Sequence, residues 1–113
     1  MKPPLLEPYK QPLRAYAGAS FAVLVRLWKN EAHTEPYLLA GYTLKLNIEG
    51  VKVLEEGKGL TIEGENGVLI ELTPAETAAA ANGANISPKY VLSLEKEGEV
   101  TYAMRGTFSI EVI

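Results

Sequence analysis

The stretch Tyr42-Thr43-Leu44-Lys45-Leu46-Asn47-Ile48 alternates apolar and polar residues, broken only at the hydroxyl of its first residue. Successive side chains of a β-strand point to opposite faces. Tyr42, Leu44, Leu46 and Ile48 therefore face a core, and Thr43, Lys45 and Asn47 face water. Gly50 interrupts the run, residues 51–54 read as a short continuation, and residues 55–59 (Glu-Glu-Gly-Lys-Gly) read as a turn.

The same period of two extends in both directions. Upstream, residues 21–28 place Phe21, Val23, Val25 and Leu27 on one face and Ala22, Leu24, Arg26 and Trp28 on the other. Such a strand has one face in the core and the other partly covered. Trp28 reads either as core filler after a twist or as a contact residue. The polar residues 29–36 form a loop. Downstream, residues 60–62 and 68–72 flank Asn66-Gly67, which supplies the positive φ of a tight hairpin. Thr73-Pro74-Ala75-Glu76 has the pattern of a helix start, with Thr73 as N-cap, Pro74 in the first turn and Glu76 as the reciprocal cap. Asn82-Gly83 stops that helix after about two turns. Beyond Pro88, the sets Tyr90, Leu92, Leu94 and Val100, Tyr102, Met104 each share a face, joined by a hairpin at Glu97-Gly98. Gly106 marks a bulge or a close approach, and Phe108, Ile110 and Val112 share a face after it. About seven short strands with turns every ten residues or so predict an all-β sandwich or barrel.

Residues 1–13 stand apart, with four of the seven prolines at Pro3, Pro4, Pro8 and Pro12. Proline fixes φ and lacks an N–H, so this stretch is expected to be extended, near polyproline II. It also carries Leu5, Leu6, Tyr9 and Leu13, more apolar surface than a solvated linker needs. Two readings stand: a solvated tail, or an arm that lies on a neighbouring subunit. The expected organisation is an arm over residues 1–13 and a sandwich over residues 14–113.

Composition narrows the function. The net charge is −3 with no basic block, so the clustered Lys and Arg that duplex nucleic acid requires are missing. All 14 acidic residues are glutamates, which disfavours the Asp-rich loops that cage calcium. The chain has no cysteine, so no disulfide, thiolate metal site or cysteine nucleophile can form. Its start, Met1-Lys2-Pro3-Pro4, has no apolar h-region, and no apolar run approaches the ~20 residues of a membrane span. Synthesis in a cytoplasm as a soluble chain is expected.

In this order and spacing the features resemble a family. The aliphatic strand ending at Trp28, Leu39-Ala40-Gly41-Tyr42-Thr43, the Asn66-Gly67 hairpin, Leu72-Thr73-Pro74-Ala75-Glu76-Thr77, the Tyr90–Leu92–Leu94 strand and Gly106-Thr107-Phe108-Ser109-Ile110-Glu111-Val112 are similar to the immunoglobulin-like N-terminal domain of tailed-phage baseplate upper proteins and to related small phage structural proteins. The match covers about four-fifths of the chain. It implies an immunoglobulin-like antiparallel β-sandwich of about seven strands with one short helix, used in a virion. The arm before Gly18 and residues 81–87 are longer than in the family, and such extensions are where neighbours are gripped.

No constellation points to catalysis. His33, the single histidine, sits between Glu31 and Glu35 in a polar loop and reads as a solvated side chain. Glu55-Glu56, Glu63 with Glu65 and Glu95 with Glu97 fall at turns or strand ends, where solubility and edge protection account for them. Gly-x-Ser-x-Gly and phosphate-loop patterns are absent. Most aromatics fall on core faces, with Tyr9, Trp28 and Tyr37 the exceptions. The alanines between Ala75 and Ala81 either cap one end of the sandwich or allow close approach of another subunit. The expected function is that of a non-enzymatic virion structural protein without cofactor or metal. It would bind other virion proteins, and copies of itself, in a tail or baseplate or as capsid decoration, through Leu5, Leu6, Tyr9, Leu13 and Tyr37. The alternative is a glycan-binding module for host attachment, which needs a coplanar set of exposed aromatics.

Overall fold

A computed structural model describes residues 9–29 and 34–113; Leu5, Leu6, Glu31 and His33 lie outside them, as does the side chain of Tyr9. Among the described residues there are nine strand segments and one helix: β1 (Tyr9–Lys10), β2 (Leu13–Tyr16), β3 (Phe21–Arg26), β4 (Thr43–Ile48), β5 (Lys52–Glu56), β6 (Gly59–Glu63), β7 (Gly67–Leu72), α1 (Pro74–Ala81), β8 (Lys89–Lys96) and β9 (Glu99–Glu111). The hydrogen-bonded path runs β1-β9-β8-β4-β5-β6-β7-β3, with β2 also on β9. Strands β9 and β3 stand near opposite ends of that path, yet the rings of Phe21 and Phe108 meet edge to face at 5.0 Å. The path therefore folds over into two layers, β9-β8-β4-β5 against β6-β7-β3, joined at the short parallel contact of Glu55 with Gly59. This is an immunoglobulin-like sandwich, all-β with one short helix.

The core follows the alternation. Leu44, Leu46, Ile48, Leu92 and Leu94 from one layer meet Leu60, Val68 and Ile70 from the other, all fully buried. Helix α1 begins as its sequence predicts: the Thr73 hydroxyl accepts from the Glu76 N–H, and the Glu76 carboxylate accepts from the Thr73 N–H. It ends at Asn82 with φ 48°, a left-handed cap. The Glu97-Gly98 hairpin has φ of 53° and 82° at its two central residues, the mirror-image turn that matches strand twist.

Five expectations need correction. First, the arm is shorter than residues 1–13. The chain joins the sheet at Tyr9, and β1 and β2 run parallel to β9, with Tyr9 opposite Met104 and Leu13 opposite Phe108. The prolines do not prevent this, because an edge strand needs hydrogen bonds on one side only. Leu13 is 6% exposed and belongs to the core, so it is not available to a neighbouring subunit. Second, residues 51–54 do not continue β4. Gly50, at φ 72°, reverses the chain, and β5 returns antiparallel with Lys52 opposite Ile48. Third, the positive φ of the β6–β7 hairpin belongs to Gly64. Gly67 is required for a different reason, since a Cβ there would stand 2.4 Å from the Glu63 carbonyl oxygen. Fourth, Val100 and Tyr102 do not share the inward face of Met104. Leu92 pairs with Met104 and Ser93 with Tyr102, so Ala103 is an extra residue, a bulge that turns everything before it over. Fifth, Val112 does not continue the inward face of Phe108 and Ile110; it lies past the end of β9, largely exposed. Gly106 is a close approach: a Cβ there would meet the Gln11 carbonyl oxygen at 2.4 Å.

Candidate protein-binding face

The bulge at Ala103 builds the site. Without it, strict alternation would bury Val100 and Tyr102 with Met104; with it, both stand on the outer face of the β9-β8-β4-β5 layer, 54% and 56% exposed. Strand register places their neighbours. One row across the sheet is Val53, Asn47, Val91 and Arg105; the next is Glu55, Lys45, Ser93 and Tyr102; the last is Thr43, Glu95 and Val100. Val53 and Val91 add apolar surface to one row, while Lys45 and Glu55 pair opposite charges directly across β4 and β5. The exposed Tyr102, Val100 and Val53 lie on the two outer strands of this layer, with Lys45, Asn47, Ser93 and Glu95 between them, a mixed apolar and polar surface of the kind that proteins use for contact.

Lys10 stands opposite Arg105 at the margin of this face. The leading residues, whose Leu5 and Leu6 are candidate contacts, therefore join the domain beside it. The hydroxyl of Tyr90 donates to the Gln11 carbonyl, and the Gln11 N–H donates to the Arg105 carbonyl at 3.0 Å. Together these hold the root of the leading segment in place.

Tyr37 sits at one end of the sandwich and is half-buried. Its ring meets Tyr42 edge to face at 5.8 Å, and the ammonium groups of Lys29 and Lys96 lie 5.8 and 5.3 Å from the Tyr37 and Tyr42 ring centres. Burial, then a hydrogen bond to Tyr42, raises the Tyr37 phenol above its ordinary pKa, so it stays a neutral hydrogen-bonding group. Tyr37 is thus anchored by Tyr42 and by a hydrogen bond to Thr101, the residue before Tyr102. Trp28 is half-buried and bridges to Pro36 in the backbone.

Sequence reasoning missed two side chains that hold the loops around this framework. Asn66 is buried; its amide donates to the Leu27 carbonyl at 2.9 Å and its oxygen accepts from Arg26 at 3.4 Å. Thr77, also buried, accepts from the Gly18 N–H at 3.0 Å and donates to the Ala19 carbonyl at 2.9 Å. A polar residue in a turn or on a short helix gives no sequence signal of burial, because burial depends on a strand that arrives from far along the chain.

Among the described side chains, the exposed tyrosines Tyr16 and Tyr102 do not gather into a sugar-stacking platform. Tyr16 stands opposite Glu111, and Tyr102 lies nine residues earlier on the same strand, about 30 Å away. Among the described residues, no three His, Cys, Asp or Glu side chains stand together to hold a metal, and no helix is long and apolar enough to cross a membrane.

No family model matches the chain, and no curated protein matches it. Among solved structures it is similar to immunoglobulin domains 1–4 of Sidekick-1, at 18% identity and a TM-score of 0.48 over 96% of this chain. This chain spans 24% of that one. It is also similar to the extracellular domain of the voltage-gated sodium channel β4 subunit, described as a parallel homodimer, at 10% identity and a TM-score of 0.40 over 99% of this chain and 92% of that one. The strand order, the parallel pairing of the first strands with the last and the two-layer core stand on their own as an immunoglobulin-like sandwich whose bulged last strand carries an exposed apolar face.

Proposed function

We propose that this protein is a non-enzymatic structural subunit of a tailed-phage virion, gripping neighbouring proteins in the tail or baseplate or on the capsid surface. One observation carries the reading: the Ala103 bulge places Tyr102 and Val100 on the outside, beside the point where the proline-rich leading segment joins the sheet. A large aromatic held on a rigid strand is well suited to a contact surface, because little freedom is lost on docking. Proline in the leading segment lowers the ordering cost in the same way. The ordered set of motifs that resembles phage baseplate domains supplies the setting.

The test is assembly. Phage carrying Tyr102→Glu, and phage whose copy of this protein lacks residues 1–8, should produce a folded, soluble protein that is depleted from purified particles. Particles that contain either variant at the normal copy number would refute the reading.

A further inference from the structure

Strand β3 pairs with β7 on one side and, among the described residues, with no strand on the other. The Leu27 N–H donates to the Asn66 carbonyl at 2.9 Å, which sets the phase of the ladder. By alternation, Val25, Val23 and Phe21 turn their backbone groups to β7, and Ala22, Leu24 and Arg26 turn theirs to the open side. The inward-facing Phe21, Val23 and Val25 are only half-buried, whereas the inward-facing residues of β4 are wholly covered. Edge strands are usually blunted by lysine, proline, a bulge or short length. This one has six residues, an unbroken register and a single charge, Arg26, at its end.

We propose that a second copy of this chain closes this edge, β3 against β3, antiparallel about a two-fold axis at Leu24. Leu24 then faces the second copy's Leu24, and Ala22 faces its Arg26. The three pairs exchange about six backbone hydrogen bonds. On the outer face, Leu24 is 46% exposed and Leu69 lies directly beside it in register, so the axis joins two Leu69–Leu24 rows into one. Charge also matches. Ala22 is paired with Glu71, so Arg26 looks across the second copy's small Ala22 to its Glu71. Two strand spacings separate those backbones by about 10 Å, within the combined reach of arginine and glutamate. The axis repeats that ion pair. Both side chains are exposed in the single chain, and Arg26 gives up a long 3.4 Å hydrogen bond to Asn66 to make it. On the inner face, Val23 meets the second copy's Val25, which covers the two half-buried valines. The inference rests on the subunit-binding reading only in taking a copy of the chain as one neighbour, and it uses a different surface from Tyr102.

Sedimentation of the full chain over a concentration series tests it. A monomer–dimer equilibrium is expected. Leu24→Lys should weaken the dimer at least about tenfold, with the thermal midpoint of the dilute monomer unchanged. Arg26→Glu and Glu71→Arg should each weaken it, and the double swap should restore it. In this cysteine-free chain, Leu24→Cys should give a covalent dimer with a short bifunctional thiol reagent, and Val53→Cys should not. A chain that stays monomeric at about 1 mM overturns the proposal, as does a dimer indifferent to Leu24→Lys. Dimers that form only after removal of residues 1–8 would make the chain's own leading segment the occupant and overturn it too. A dimer lost with Tyr102→Glu but kept with Leu24→Lys would reject this edge while leaving the outer-face reading standing.

Discussion

Thr77 does more for the fold than its place on a two-turn helix implies. Its hydroxyl receives the Gly18 N–H and gives to the Ala19 carbonyl, so one side chain holds the β2–β3 turn to α1. Thr77→Val keeps the shape and leaves both groups without that partner. The expected loss is about 1–3 kcal/mol in urea unfolding, and Thr77→Ser should recover most of it. Glu76 makes a pH prediction. A hydrogen bond from Lys52, then one from the Thr73 backbone, lowers its pKa. A carboxyl whose folded pKa lies below its unfolded value contributes stability above the unfolded pKa and loses it as pH falls through the folded one. Unfolding free energy should therefore decline through the acid carboxylate range, and Glu76→Gln should flatten that decline. The capping box of Thr73 and Glu76 was legible in the sequence because all its partners lie within four residues. The pins made by Thr77 and Asn66 were not, because their partners lie 58 and 39 residues away.

Strands obey the same division. Alternation within β4, β7 and β8 placed Leu44, Leu46, Ile70, Leu92 and Leu94 inward, and all are fully buried. It failed across Ala103, because a bulge inserts one residue without altering the apolar pattern on either side. The same limit concealed the candidate face, since Tyr102 reads as core until the extra residue is known. At the leading strands, composition pointed to an arm as far as Leu13, while parallel pairing with β9 draws Leu13 inside. Leu13→Ala should therefore cost about 2–5 kcal/mol, measured by denaturant unfolding. Removing residues 1–8 should cost little stability. A truncation through residue 13 that unfolded no more readily than one through residue 8 would contradict this placement.

For the molecule as a whole, the two proposed contact surfaces lie on different layers: the outer face of β9-β8-β4-β5 and the free edge of β3. A rigid body between them would serve as a two-sided connector. If the surfaces act independently, Tyr102→Glu should leave the dimer constant unchanged and Leu24→Lys should leave the outer-face contact unchanged, with additive effects in the double variant. Cysteine is absent, so no disulfide ties the layers together, and reducing conditions should not shift the unfolding midpoint. The parallel pairing of β2 with β9 has a further consequence for biosynthesis. Leu13 finds Phe108 across 95 positions of chain, so an early strand waits with its apolar face uncovered until nearly everything else has emerged. Closing so long a span is slow, so the early strand is exposed to aggregation until the last strand is free to pair with it.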